Sequence, residues 1–153
     1  AASAMWYNEY HTILNTGVDP DELTVFPMWE CGLNFPEDGL YMMEAAYRKN
    51  PSLAAACVTA SLEGWAYAFD HPEETLAIVM RQMQEAKISA NRMHQRWMLA
   101  RMQDLIRPVL EAGDNGRLNR ADFASVSAFL LQSGLVSNVP DFEVFTGRHH
   151  VTP

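Results

Sequence analysis

The run Trp6-Tyr7-Asn8-Glu9-Tyr10 sets two or three aromatic faces beside an amide and a carboxylate. Aromatic rings stack on flat heterocycles, while an amide and a carboxylate hydrogen-bond the nitrogens along a ring edge, so this stretch carries the chemistry for a nitrogen-rich ring. The competing reading is plainer: Trp6 and Tyr10 face a core, and Asn8 and Glu9 face solvent. A second run, Phe35-Pro36-Glu37-Asp38-Gly39, brings two adjacent carboxylates that could point into a cleft or simply make a turn. The candidate ligand-binding residues are therefore Trp6, Tyr7, Asn8, Glu9, Glu37 and Asp38.

Other reactive side chains assemble nothing comparable. None of His11, His71, His94, His149 and His150 has a partner at the i, i+4 spacing of a helical zinc site, and His149-His150 reads as an exposed tail. Residues 111–122 invite a calcium-loop reading, with Gly116, Leu118 and Asp122 at its sixth, eighth and twelfth positions. The early aspartate ligands are missing, because Glu111 and Gly113 stand there, so a polar turn between helices is expected. Cys31 and Cys57 form no C-x-x-C pair, and Cys57, beside an apolar stripe, reads as a small core residue. No phosphate loop, dinucleotide fingerprint or nucleophile elbow is present. No catalytic residue, metal or cofactor is expected.

The elements that must position these groups run from short apolar pieces to helices. Ser3-Ala4-Met5 reads as the end of a strand, and Trp6 to Asn15 as a helix with Gly17 as its C-cap. Leu23-Thr24-Val25-Phe26 and Gly39 to Glu44 read as short strands joined by an irregular stretch from Pro27 to Asp38. After Asn50-Pro51 the chain turns helical, with Val58, Leu62, Trp65 and Phe69 on one stripe. Pro72 opens a helix lined by Leu76, Val79, Met80 and Met83. A third spans about Ser89 to Arg107, with Pro108 marking its end or a kink. Asn119 and Asp122 suggest a variant capping box opening a last helix to Gly134. The order is α/β at the front and helical behind. So few strands need partners from elsewhere, and the chain reads as the latter part of a larger domain.

The whole is 153 residues with a formal charge of −8, one domain's worth of chain with an ordinary globular mix. An acidic balance speaks against nucleic acid and anionic membrane as partners. No run approaches the roughly 18 apolar residues of a span, and no signal peptide is visible.

The phrases Ala1-Ala-Ser-Ala-Met-Trp-Tyr-Asn-Glu-Tyr10, Phe35-Pro-Glu-Asp-Gly39, Ser61-Leu-Glu-Gly-Trp65, Phe69-Asp-His-Pro-Glu-Glu74 and Asn91-Arg-Met-His-Gln-Arg-Trp-Met98, in that order, resemble the THI5/NMT1-like group of ABC-transporter substrate-binding proteins. The resemblance runs from Ala1 to about Phe145. It implies a partial type II periplasmic-binding-protein fold, helix-rich, comprising the second lobe and C-terminal helices. Residues 1–38 would be a second-lobe segment, 39–145 the returning hinge strand and helices, and 146–153 a tail. The missing N-terminal lobe would share the ligand cleft.

The implied function is the solute-binding component of an ABC importer, periplasmic or extracytoplasmic. It would close its lobes over a small molecule, such as a thiamin-precursor pyrimidine, and present it to a permease. On this mapping the six candidate residues line the cleft. One branch of the family is enzymatic, making the thiamin pyrimidine from pyridoxal phosphate and a histidine with iron. That branch carries a cysteine cluster before the strand matching Leu40-Tyr41. Here Phe35 to Gly39 holds no cysteine, which speaks against the enzyme. A third expectation is a lobe without independent activity that pairs with itself as a homodimer through an unpaired sheet edge.

Overall fold

A computed structural model describes residues 1–113 and 117–147. The polar turn expected around Asp114-Asn115-Gly116 and the exposed tail expected at His149-His150 lie outside the described residues. Seven α-helices are present among those described: α1 (Glu9–Leu14), α2 (Glu44–Lys49), α3 (Pro51–Asp70), α4 (Pro72–Glu85), α5 (Arg92–Ala112), α6 (Arg120–Gln132) and α7 (Phe142–Phe145). Two 3₁₀ turns, Pro20–Glu22 and Met28–Cys31, punctuate the early chain.

The α/β expectation is corrected here, because the described residues contain no strand. Leu23, Pro27 and Met43 do take extended backbone angles. A strand exists only as one side of a ladder, however, and neither Leu23–Phe26 nor the run from Gly39 finds a second side. Glu44 instead opens α2, with Arg48 one turn on closing an i, i+4 ion pair of 2.5 Å.

The long helices follow their sequence signals. Asn91 caps α5, its Oδ1 accepting from the Met93 and His94 amides at 2.9 and 3.2 Å. Asn119 caps α6 by accepting from the Asp122 amide at 2.8 Å. The reciprocal half of that box is side chain to side chain, Asn119 Nδ2 donating to Asp122 Oδ2. Pro108 does not end α5, which runs one further turn to Ala112. Gly17 takes φ +92°, a conformation open to glycine, and its amide donates to the Leu14 carbonyl to close the turn after α1.

The chain divides into two compact units. The first comprises Ala1–Thr24 and Leu40–Asn115, the second Val25–Gly39 and Gly116–Pro153. In the first, α5 packs on α3 and α4 and also receives α1. Its buried apolar side chains are Phe69 of α3 and Leu76 of α4. Glu73 of α4 holds both Arg92 and Arg96 of α5, and Asp70 of α3 holds Arg107. α3 carries no charge from Pro51 to Leu62, and most of that stretch is exposed, Cys57 included. Cys57 is thus not the core residue its apolar neighbourhood suggested. No described helix is long and apolar enough to cross a membrane.

The second unit buries Phe142 of α7. Phe123 of α6 meets Phe142 edge-on at 5.4 Å and Phe145 at 5.3 Å. Arg120 pairs with Glu143 and lies 4.7 Å over the Phe142 ring. Phe35 packs against Phe129 at 5.2 Å.

Candidate functional site

Six residues are too few for a helix to persist alone in water, so α1 takes its place from what it touches. The residues before it fold back, the Asn8 and Tyr10 amides both donating to the Met5 carbonyl at 3.2 Å. Glu9 Oε2 accepts from the Met5 amide at 2.9 Å. That bond, reinforced by the Glu9 amide, holds the carboxyl below its ordinary pKa.

The Glu9 carboxylate also orients its neighbour. Asn8 Nδ2 donates to Glu9 Oε1 at 3.3 Å, and since an ionised carboxylate only accepts, the Asn8 amide has one orientation. Its Oδ1 then faces His94 Nε2 at 2.9 Å, and His94 must be the donor. The other nitrogen of that ring, Nδ1, lies 2.9 Å from Nδ1 of His11. The Asn15 amide nitrogen stands 3.2 Å from the same His11 atom. A continuous hydrogen-bonded chain therefore runs from Glu9 through Asn8 and His94 to His11, joining α1 to α5.

Aromatic faces flank this chain. His11 stacks on Trp97 at 4.6 Å and 6°. Trp6 stacks on Tyr10 at 5.4 Å and meets Trp97 edge-on at 6.1 Å. The Arg101 guanidinium lies 4.8 Å over Trp97 and 6.0 Å from Trp6, a cation–π arrangement. Arg101 Nε is 2.9 Å from Asp104 Oδ2, an ion pair that lacks hydrogen-bond alignment. Trp97 Nε1 is buried and has no hydrogen-bond partner. Burial first, and the His94 charge second, push the His11 pKa below the ordinary imidazole value.

The six predicted residues take different parts in this arrangement. Trp6 is 41% exposed, with part of its ring open to solvent. Tyr7 and Asn8 are half-buried and Glu9 is exposed. Both Glu9 oxygens already accept hydrogen bonds, so Asn8 and Glu9 act on the site's internal order as much as on anything outside it. Glu37 and Asp38 are exposed members of the second unit. Asp38 takes φ +62°, a left-handed turn conformation that aspartate tolerates better than most residues.

Sequence reasoning passed over His11, His94, Trp97 and Arg101. The α5 members share one face at spacings of 3 and 4, a signal visible in the sequence. Spacing within one segment gave no hint that His11, 83 residues earlier, would meet His94. A separate open groove of about 520 Å³, lined by Ala77, Met80, Arg81, Gln84, Ile88, Ala90 and Arg92, involves none of the six. Among the described residues no group of three or more His, Cys, Asp or Glu is placed to hold a metal ion.

The arrangement offers a partly open indole stacked on a second ring, with a hydrogen-bonded polar chain on the same helices, which suits stacking of a flat ligand. No curated protein and no solved structure matches the chain. The family comparison ends at residue 75, short of the α5 residues, but it includes Trp6 to Glu9 and both carboxylates at 37 and 38. Residues 1–75 match the family model described as NMT1/THI5 like, and over that span the chain is similar to this family.

Proposed function

We propose that this chain is part of a solute-binding component of an ABC-type importer, taking a small flat heterocycle such as a thiamin-precursor pyrimidine. The NMT1/THI5-like family includes both substrate-binding proteins and thiamin-pyrimidine synthases. The observation that carries the binding reading is the Trp6 indole: backed by Tyr10, edged by Trp97, and still partly open to solvent. In this reading Trp6 and Tyr7 supply ring faces, and Asn8 and Glu9 hold the Trp6 turn and meet ring nitrogens. A preceding lobe completes the cleft. An extracytoplasmic location and a permease partner belong to the same proposal.

The test is titration of the full protein with the thiamin-precursor pyrimidine, followed by calorimetry. Base-on-aromatic stacking is worth about 1–3 kcal/mol, so Trp6→Ala should weaken binding roughly tenfold or more. Unchanged affinity in both Trp6→Ala and Glu9→Ala would overturn the site. Bound pyridoxal phosphate absorbance with iron-dependent turnover would move the chain to the synthase branch.

A further inference from the structure

We propose that the His11–His94 contact is a proton-counting latch: it holds α1 against α5 with no extra proton or with one, and opens on the second.

The inference follows from what each nitrogen can donate. Glu9 fixes Asn8, and Asn8 Oδ1 requires a proton on His94 Nε2. In the neutral pair His94 Nδ1 then carries the lone pair, and His11 Nδ1 donates to it across the 2.9 Å gap. With one added proton, an N–H and a lone pair still meet between the two Nδ1 atoms, whichever ring takes it. His94 Nε2 still donates to Asn8 Oδ1, and the Asn15 amide stands beside the His11 nitrogen. The contact between the two rings is therefore kept in that state.

A second proton leaves no lone pair between the two Nδ1 atoms. Two like charges and two facing N–H groups would then stand 2.9 Å apart, and the rings must separate. Because α1 has few other anchors, separation frees Trp6 and Tyr10 with it.

The surrounding charges allow this reading. On α1, Glu9 reaches His94 through Asn8. On α5, Arg101 stacks over Trp97, the ring on which His11 lies, and opposes the second proton. From α4, Glu73 is occupied by Arg92 and Arg96; from α3, Asp70 is occupied by Arg107. The lowered affinity of His11 for a proton agrees with a pair that resists the second charge. Coupled groups of this kind titrate in two steps that belong to the pair.

The latch needs no ligand. Only its consequence, a ligand wall that loosens in acid, rests on the binding function proposed above. The experiment therefore uses the ligand-free full protein, followed from about pH 8 to about pH 4 by histidine ring-proton resonances, Trp fluorescence and amide exchange in α1. Two histidine steps are expected, with Trp97 quenched and α1 protection falling about tenfold at the second; Trp97→Phe assigns the fluorescence. His11→Gln keeps an amide able to donate and accept but takes no second charge, so the acid step should vanish. Independent single titrations of the two rings, α1 protection constant through both steps, or an acid step surviving in His11→Gln would each overturn the latch. If His11→Gln does not fold, the wild-type resonances and exchange decide it alone. Failure of the latch leaves the Trp6→Ala binding test untouched, so the two proposals fall separately.

Discussion

Two short helices in this molecule face the same difficulty and meet it with different chemistry. α1 and α7 have six and four residues, too few to stand alone. In the first unit α1 is held by a polar chain through Asn8, His94 and His11, with rings stacked around it. In the second unit α7 is held by Phe142 and Phe145 against Phe123, with an ion pair at the rim. Apolar burial is indifferent to pH, whereas a chain of imidazoles depends on proton count. The polar solution suits a segment meant to respond, and the apolar one a segment meant to stay.

The largest expected effect lies on the apolar side. Phe142→Ala removes a buried ring, so it should cost the second unit about 3 kcal/mol and abolish α7 protection, as read by denaturant unfolding and amide exchange. On the polar side the effect is conditional. The His11 pKa is lowered in the folded chain, so its contribution is present above the ordinary histidine range and is lost as pH falls through the lowered value. His94→Ala should cost about 1 kcal/mol near neutral pH and flatten that dependence, measured as α1 exchange against pH. If Phe142→Ala and His94→Ala share one pH profile, the contrast between the helices is wrong.

Smaller changes sharpen the picture. Asn91→Ala and Asn119→Ala each remove an N-cap and should cost about 1 kcal/mol, one in α5 and one in α6, by thermal unfolding. Arg120→Ala removes an exposed pair with Glu143 and a cation–π contact, for about 0.5 kcal/mol that shrinks with added salt.

Much of the helical layout could be read from residue order. The stripes through Val58, Leu62, Trp65 and Phe69 and through Leu76, Val79, Met80 and Met83 fall in α3 and α4, and Asn119 caps α6 as its spacing suggests. None of the three predicted strands forms among the described residues, Ser3-Ala4-Met5 included, for a physical reason. Four to six apolar residues suit a strand or a loop equally, and only a pairing partner decides between them. Trp6 to Glu9 stood out by composition alone. Their partners did not, because a contact between His11 and His94 is long-range and each histidine by itself looks ordinary. Nor does periodicity reveal that Glu9 is spent internally, since a carboxylate's partners are set by the turn that brings Met5 to it.

The two cysteines have a consequence of their own. Both are free and exposed, Cys31 within the second unit and Cys57 within the first. Maleimide labelling followed peptide by peptide would therefore report on each unit by itself, with no engineered thiol and no native one to remove. The chain thus carries one native reporter in each unit, and a change in labelling rate confined to one of them would locate a ligand's effect in that unit.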